Sequence, residues 1–186
     1  MVTANQFKTG MTIEYDGGIY VIVDFQPVKP GKGGAFTRTK LRNLRTKKIL
    51  ERTFRVEEKL NDAFIEEKKV QYLYNAGNSY HFMDQETFEE ITLDNEVLSD
   101  VTGFLIENMD VSLVSYQKEI LEVKLPIHVE LTIEHTEPGF KGDTSKSSLK
   151  PATLETGADI MVPLFVEQGD RIKIDTRTGQ YVERVN

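Results

Sequence analysis

By reach alone, Lys32 is the residue of this chain best placed to do chemistry. It sits in the run Lys29-Pro30-Gly31-Lys32-Gly33-Gly34-Ala35-Phe36. Pro30 fixes φ and lacks an amide donor, and Gly31, Gly33 and Gly34 accept backbone angles closed to other residues. The chain can therefore reverse tightly and hold out one long side chain; an ordinary solvated tip has the same composition, so both readings stay open here. As a nucleotide cradle the run fails. A P-loop needs a Ser or Thr after the lysine and a helix to follow, whereas Gly33 and a strand follow Lys32. In the dinucleotide fingerprint the third glycine falls on Phe36. His81, His128 and His135 form no zinc pattern, and the seven-residue spacing of the last two in an extended run places them on opposite faces. No serine occupies a Gly-x-Ser-x-Gly elbow, and nothing pairs two carboxylates for acid/base work. The chain is read as a non-enzyme with no metal and no dissociable cofactor.

The second set of candidate residues is basic. Arg38, Lys40 and Arg42 alternate in a strand-like run and share one side. Arg45, Lys47, Lys48, Arg52 and Arg55 would extend that side into a surface suited to phosphates, next to the Lys32 loop. The net charge of −7 over 186 residues argues against a nucleic-acid partner, but its distribution does not. Residues 1–64 hold 12 Lys+Arg against 7 Asp+Glu, residues 65–127 hold 4 against 13, and residues 128–186 hold 7 against 10. A basic end that meets polyanion and an acidic middle that does not is one explanation; a solvated basic face on a small β domain is the other.

The elements that position these groups are short strands. Met11–Tyr15 and Ile19–Gln26 flank Asp16-Gly17-Gly18, a strong hairpin turn. Ala35–Leu44 and Ile49–Arg55 follow, separated by the basic turn at 45–48. The charged segment Val56–Phe64 marks a boundary near residue 64. Strands resume at Lys69–Asn75, Tyr80–Asp84 and Glu90–Leu93. Asp94 is expected to cap a short helix, because Val97, Leu98, Val101, Phe104 and Leu105 recur at helical spacing. Asp110–Tyr116 and Glu119–Lys124 make a hairpin, and Pro126 ends the unit. A third unit takes His128–Glu137, a polar loop from Ser145 to Ala152, then strands at Val162–Phe165, Arg171–Asp175 and Gln180–Val185. No helical span is long enough for βαβ crossovers. The expectation is an all-β chain of three consecutive small β-barrels, at 1–64, 65–127 and 128–186. No apolar run approaches the roughly 18 to 20 residues of a membrane span. There is no cysteine and no visible secretion signal, so a cytoplasmic protein without membrane attachment is expected.

The stretch Val28–Leu44, with Lys-Pro-Gly-Lys-Gly-Gly-Ala-Phe followed by Arg38, Lys40, Leu41 and Asn43, closely resembles the first domain of the bacterial elongation factor P family. Thr136-Glu137-Pro138-Gly139-Phe140-Lys141-Gly142-Asp143-Thr144 resembles that family's third-domain signature, carried by Glu137, Pro138, Gly139, Gly142 and Asp143. Gln71-Tyr72-Leu73-Tyr74 and Gln168-Gly169-Asp170 keep the family's order. The resemblance implies an SH3-like, KOW-type barrel followed by two OB-type barrels in an L shape that mimics tRNA. It implies a monomer that binds the 70S ribosome beside peptidyl-tRNA and relieves stalling at consecutive prolines. Lys32 aligns with the family's modified residue, supported by Lys29, Pro30, Gly31, Gly33 and Gly34, and would reach the peptidyl-transferase centre and the CCA end. The basic face would grip acceptor-stem or ribosomal RNA. Pro30 beside Gly31 and Lys32 resembles the 5-aminopentanol type of modification, with the β-lysyl type as the other form, so a Lys32-modifying enzyme is implied as a partner. Tyr181 and Arg184 are candidates for RNA contact near the small subunit, with core or surface placement the other reading. The alternative function is a general OB-fold RNA-binding protein, which needs aromatic residues stacked along a groove.

Overall fold

The computed structural model describes residues 1–31, 33–98, 100–138 and 149–185. By contacts the chain divides into two units: Met1–Glu67 with Leu113–Glu122, and Lys68–Ser112 with Val123–Asn186. Among the described residues no helix is long and apolar enough to cross a membrane.

In the first unit six strands form one antiparallel sheet. They are β1 (Val2–Thr3), β2 (Thr12–Tyr15), β3 (Gly18–Val28), β4 (Phe36–Asn43), β5 (Ile49–Arg55) and β6 (Lys59–Asp62), in the order β1-β6-β2-β3-β4-β5. Asp16 and Gly17 sit at φ +47° and +72°, the mirror-image turn whose twist matches the strands it joins. Pairing of β3 with β4 runs from Tyr20 opposite Asn43 to Val28 opposite Phe36, broken by a bulge between Ile22 and Asp24. In β4 the alternation is as expected: Thr37, Thr39 and Leu41 are buried while Arg38 and Lys40 are exposed. Phe7, Ile13, Ile22, Leu41 and Phe54 make the core, with Phe54 meeting Phe7 and Tyr15 edge-on at 5.6 and 5.5 Å. The strand β6 lies where the sequence suggested a charged boundary. It buries only Leu60, too little alternation for a period-2 signal. Residues 113–122 add a second apolar cluster, in which Val114 and Leu121 pack with Leu44 and are flanked by Ile19, Val21, Ile65 and Tyr116.

A five-stranded sheet of β7 (Glu66–Ala76), β8 (Ser79–Asp84), β9 (Glu90–Asp94), β10 (Asp110–Tyr116) and β11 (Glu119–Lys124) follows, ordered β11-β10-β7-β8-β9. Its β8–β9 corner is fixed by one carboxylate. Asp84, 1% exposed, accepts the Lys68 ammonium at 2.5 Å and the backbone amides of Glu86 and Thr87 at 2.8 and 3.3 Å. The Lys68 hydrogen bond, followed by the amide of Glu86, holds the Asp84 carboxyl well below the usual carboxylate range. A depressed folded-state pKa contributes stability above the unfolded value near 3.9 and loses it as the pH falls toward the folded value. Asp84→Asn is therefore expected to lower the thermal midpoint at pH 7. That deficit should shrink steadily below about pH 4. A pH-independent deficit, measured by thermal melts from pH 7 to pH 2, would show that the charge is not what matters.

The expected helix after Asp94 shrinks to α1 (Asn95–Leu98) and a separate 3-10 turn at Thr102–Phe104. The apolar residues at helical spacing are used in two different places instead of on one face. Leu98 is fully buried, whereas Phe104, together with Ile106 and Met109, packs on the core of the third sheet. Gly103 is required there, because a Cβ would come within 2.9 Å of the Ala158 side chain, and its carbonyl accepts the Thr156 hydroxyl at 2.6 Å.

The third sheet contains β12 (His128–Thr136), β13 (Leu149–Leu154), β14 (Asp159–Pro163), β15 (Arg171–Asp175) and β16 (Gln180–Val185), ordered β14-β13-β12-β15-β16. Strand β14 also lies beside β16, so the sheet curls around its core of Leu131, Ile133, Leu154, Val162, Ile172 and Ile174. Three expectations are corrected here. The polar loop through Ala152 gives way to a strand from Leu149, whose inward positions include the charged Lys150, which hid the alternation. The expected strand Val162–Phe165 instead starts at Asp159 and stops at Pro163. A bulge between Ile133 and His135 also shifts the phase of β12, so His135, opposite Thr153, is exposed like His128 rather than facing the other way. The chain is thus all-β.

Candidate nucleic-acid interface

The β3–β4 ladder ends at Val28 and Phe36, and Lys29, Pro30, Gly31, Gly33 and Gly34 beyond it are exposed. Lys32 lies outside the described residues. A Cβ at Gly31, Gly33 or Gly34 would meet nothing within 4 Å, so no neighbour demands glycine. Gly33 is needed for its backbone, at φ +106°. The described residues of the loop therefore stand clear of the barrel at the end of a paired hairpin.

The eight basic residues expected beside it do not share one environment. Register places Phe36, Arg38, Lys40 and Arg42 on the outer face of β4, opposite Arg55, Thr53, Glu51 and Ile49 of β5. Arg52 stands opposite Thr39 on the other face, with its guanidinium 5.7 Å from the centre of the Tyr15 ring. The expectation of a single surface containing Arg52 is corrected by that register. Arg38 lies 5.8 Å over the Phe36 ring. Phe36 also lines an open groove with Gly34, Ala35, Thr53 and Arg55. Lys40 faces Glu51 at 3.5 Å, a pair so exposed that it contributes little. Lys48 and Arg55 are exposed, and neither side-chain cation forms an ion pair among the described residues, although the Arg55 backbone amide donates to Glu58 Oε2 at 3.1 Å.

Arg42, Arg45 and Lys47 differ from the rest. Arg42 Nη1 and Lys47 Nζ reach Glu122 Oε1 at 3.1 and 2.9 Å, and Arg45 pairs with Glu119. Burial opposes ionisation of Glu122, but the hydrogen bonds from Lys47 and Arg42 outweigh it and hold the carboxyl below its ordinary range. Sequence reading missed both glutamates, which lie 74 to 80 positions from the arginines they meet.

In the second unit Glu137 and Pro138 are exposed, while Gly139, Gly142 and Asp143 lie outside the described residues. The stem before them is pinned by Lys150 Nζ donating to the Glu137 carbonyl at 2.7 Å and by the Thr136 hydroxyl donating to the Pro151 carbonyl at 2.9 Å. Tyr181 packs partly on the barrel core and meets Phe165 edge-on at 6.4 Å. Arg184 lies 5.9 Å over Phe165 and reaches Asp170 at 3.4 Å. Phe165, 60% exposed, joins these two, and no local pattern of residues singles it out. Among the described residues no group of three or more His, Asp or Glu side chains is arranged to hold a metal.

Comparison with known proteins covers the whole chain. Family models match residues 3–60 as an elongation factor P KOW-like domain, 65–123 as an elongation factor P OB domain, and 129–184 as the elongation factor P C-terminal domain. Elongation factor P of Moorella thermoacetica is 53% identical over 184 residues, 99% of this chain and 100% of its own length. That of Natranaerobius thermophilus is 53% identical over 185 residues, 100% of this chain and 98% of its own. Among solved structures, initiation factor 5A from Methanococcus jannaschii superposes with a TM-score of 0.52 at 28% identity, covering 66% of this chain and 92% of that one. A factor 5A family protein from Naegleria fowleri, 18% identical with a TM-score of 0.50 over 67% of this chain and 96% of its own, shares the fold. Three family models in unbroken order and full-length relatives at half identity place the chain in the elongation factor P family.

Proposed function

We propose that this translation factor binds the ribosome beside peptidyl-tRNA and stimulates peptide-bond formation where consecutive prolines stall it. The observation that carries the reading is the full-length match to elongation factor P relatives, together with a glycine-rich loop standing clear of the barrel on a paired hairpin. Proline is a slow acceptor because its nitrogen is a constrained secondary amine, and a proline-rich nascent chain is stiff. A factor that holds peptidyl-tRNA in a reactive pose lowers an entropic barrier without supplying a nucleophile.

In this reading Lys32 reaches the CCA end at the peptidyl-transferase centre, and Lys29, Pro30, Gly31, Gly33 and Gly34 set its path. Lys32 is the substrate of a modifying enzyme, with the 5-aminopentanol type favoured by Pro30. Cations of the first barrel supply the electrostatic part of binding to acceptor-stem or ribosomal RNA phosphates. Tyr181 and Arg184 offer a further RNA contact.

The test is the full-length yield of a reporter containing consecutive prolines in a reconstituted translation system, with and without the protein. The expected result is rescue of the proline reporter and no effect on a matched reporter without the run. If unmodified protein fails and protein from its native host succeeds, modification of Lys32 is required. Failure of both overturns the reading in favour of a general RNA-binding protein.

A further inference from the structure

Arg42, Arg45 and Lys47 look like phosphate ligands in sequence, yet each already has an anionic partner on β11. Arg42 and Lys47 converge on Oε1 of Glu122, whose side chain is 10% exposed, and Arg45 pairs with Glu119. The second oxygen of Glu122 is buried without a donor among the described residues, so these two cations are what balance its charge. Beneath them Leu44, Val114 and Leu121 are buried together. By contrast, Arg38 lies on the Phe36 ring, and Arg55 lines the groove at the loop end beside Glu57 and Glu58, its backbone amide donating to Glu58 Oε2 at 3.1 Å; neither guanidinium forms an ion pair among the described residues.

We propose that Glu122 is a positioning residue. With Arg42 and Lys47 it forms a latch that seats residues 113–122 on the first barrel, to which the exposed Arg45–Glu119 pair adds little, and it leaves the phosphate-facing role to the loop-end cations Arg38 and Arg55. The second half of this assignment rests on the ribosome-binding reading above. The physical reason is counterion exchange. A free surface cation that meets a phosphate releases a condensed ion from the nucleic acid, and so steepens the salt dependence of binding. A cation bonded to a buried carboxylate cannot do so without stranding that carboxylate.

The test uses the full chain as Arg42→Gln, Glu122→Gln, the pair together, and Arg38→Gln. Two quantities are read: the thermal midpoint, and the salt dependence of binding to 70S ribosomes carrying peptidyl-tRNA. Arg42→Gln and Glu122→Gln should each lower the midpoint, and the double variant should lower it by clearly less than their sum. Arg42→Gln should leave the log–log salt slope unchanged. Arg38→Gln should leave the midpoint unchanged and flatten the slope by about 0.7 to 0.9. Additive midpoint losses overturn the latch, and a slope flattened as much by Arg42→Gln as by Arg38→Gln overturns the partition of the cations. If the unaltered protein binds no ribosomes at all, the functional reading and the phosphate role both fall. The latch is then judged by the midpoint cycle alone.

Discussion

Lys32→Ala is expected to abolish relief of proline stalling, returning reporter yield to that seen without the factor, while the thermal unfolding of the protein stays unchanged. The two halves of this expectation have separate causes. Stability is indifferent because the loop contributes nothing to the core: its described residues are exposed, and a Cβ added at Gly31, Gly33 or Gly34 meets no neighbour within 4 Å. The barrel beneath is held by Phe7, Ile13, Ile22, Leu41 and Phe54, none of which belongs to the loop. Activity is sensitive because, in the proposed reading, Lys32 is the side chain at the tip of the hairpin, whereas Lys29, Arg38 and Arg55 lie nearer its base and supply charge for binding. If the factor works by positioning, loss of the one side chain that reaches the reacting centre loses the whole effect rather than a fraction of it. Lys32→Arg separates charge from identity. It keeps a cation, but a planar guanidinium is not an equivalent of an ammonium, nor a substrate for a lysine-modifying enzyme. Activity should therefore remain far below that of the unaltered protein. Stall relief that survives Lys32→Ala would remove the loop tip from the mechanism.

The residues that announced their structure did so through strong local rules. Asp16-Gly17 could only be a tight reversal between alternating runs, and β2 and β3 meet there. The Pro/Gly run at 29–34 could only be a loop, and the ladder stops at Val28 and Phe36 on either side. What was hidden depends on pairings that no window of sequence contains. Strand β6 is recognisable only by its partners Val2 and Ile13, and β13 only by the barrel that tolerates an inward Lys150 with its ammonium on the Glu137 carbonyl. The helical spacing after Asp94 misled because Phe104 answers to the third sheet and Leu98 does not. The candidate interface divides in the same way. That Arg38, Lys40 and Arg42 share a face follows from alternation alone. Arg52 falls on the opposite face because of cross-strand register, and Arg42, Arg45 and Lys47 meet their glutamates only through the fold. Sequence gives the sign of a surface; the fold decides which of its charges remain free.

Phe54→Ala should have the largest effect on stability. Phe54 is fully buried, and its ring is held edge-on by Phe7 and Tyr15, so truncation removes the transfer term, leaves a cavity and loses two aromatic contacts. The expected cost is about 3–5 kcal/mol. A unit this small buries a modest share of its surface, and stabilities of about 5–15 kcal/mol are ordinary for whole domains. One substitution can therefore consume much of what holds the first barrel folded. The chain has no tryptophan, so circular dichroism and tyrosine fluorescence are the natural probes. Because the third sheet has its own core, the loss should appear as an early transition of the first unit, followed by one that keeps its original midpoint. Phe64→Ala is the matched control, the same truncation in the same unit at a side chain 85% exposed, and should stay within about 0.5 kcal/mol. A Phe54→Ala cost below about 1 kcal/mol would mean that the barrel collapses around the cavity, contrary to close packing. A shift of every transition together would mean that the two units unfold as one, and stall relief would then depend on the first core through the whole molecule rather than through the hairpin that carries Lys32.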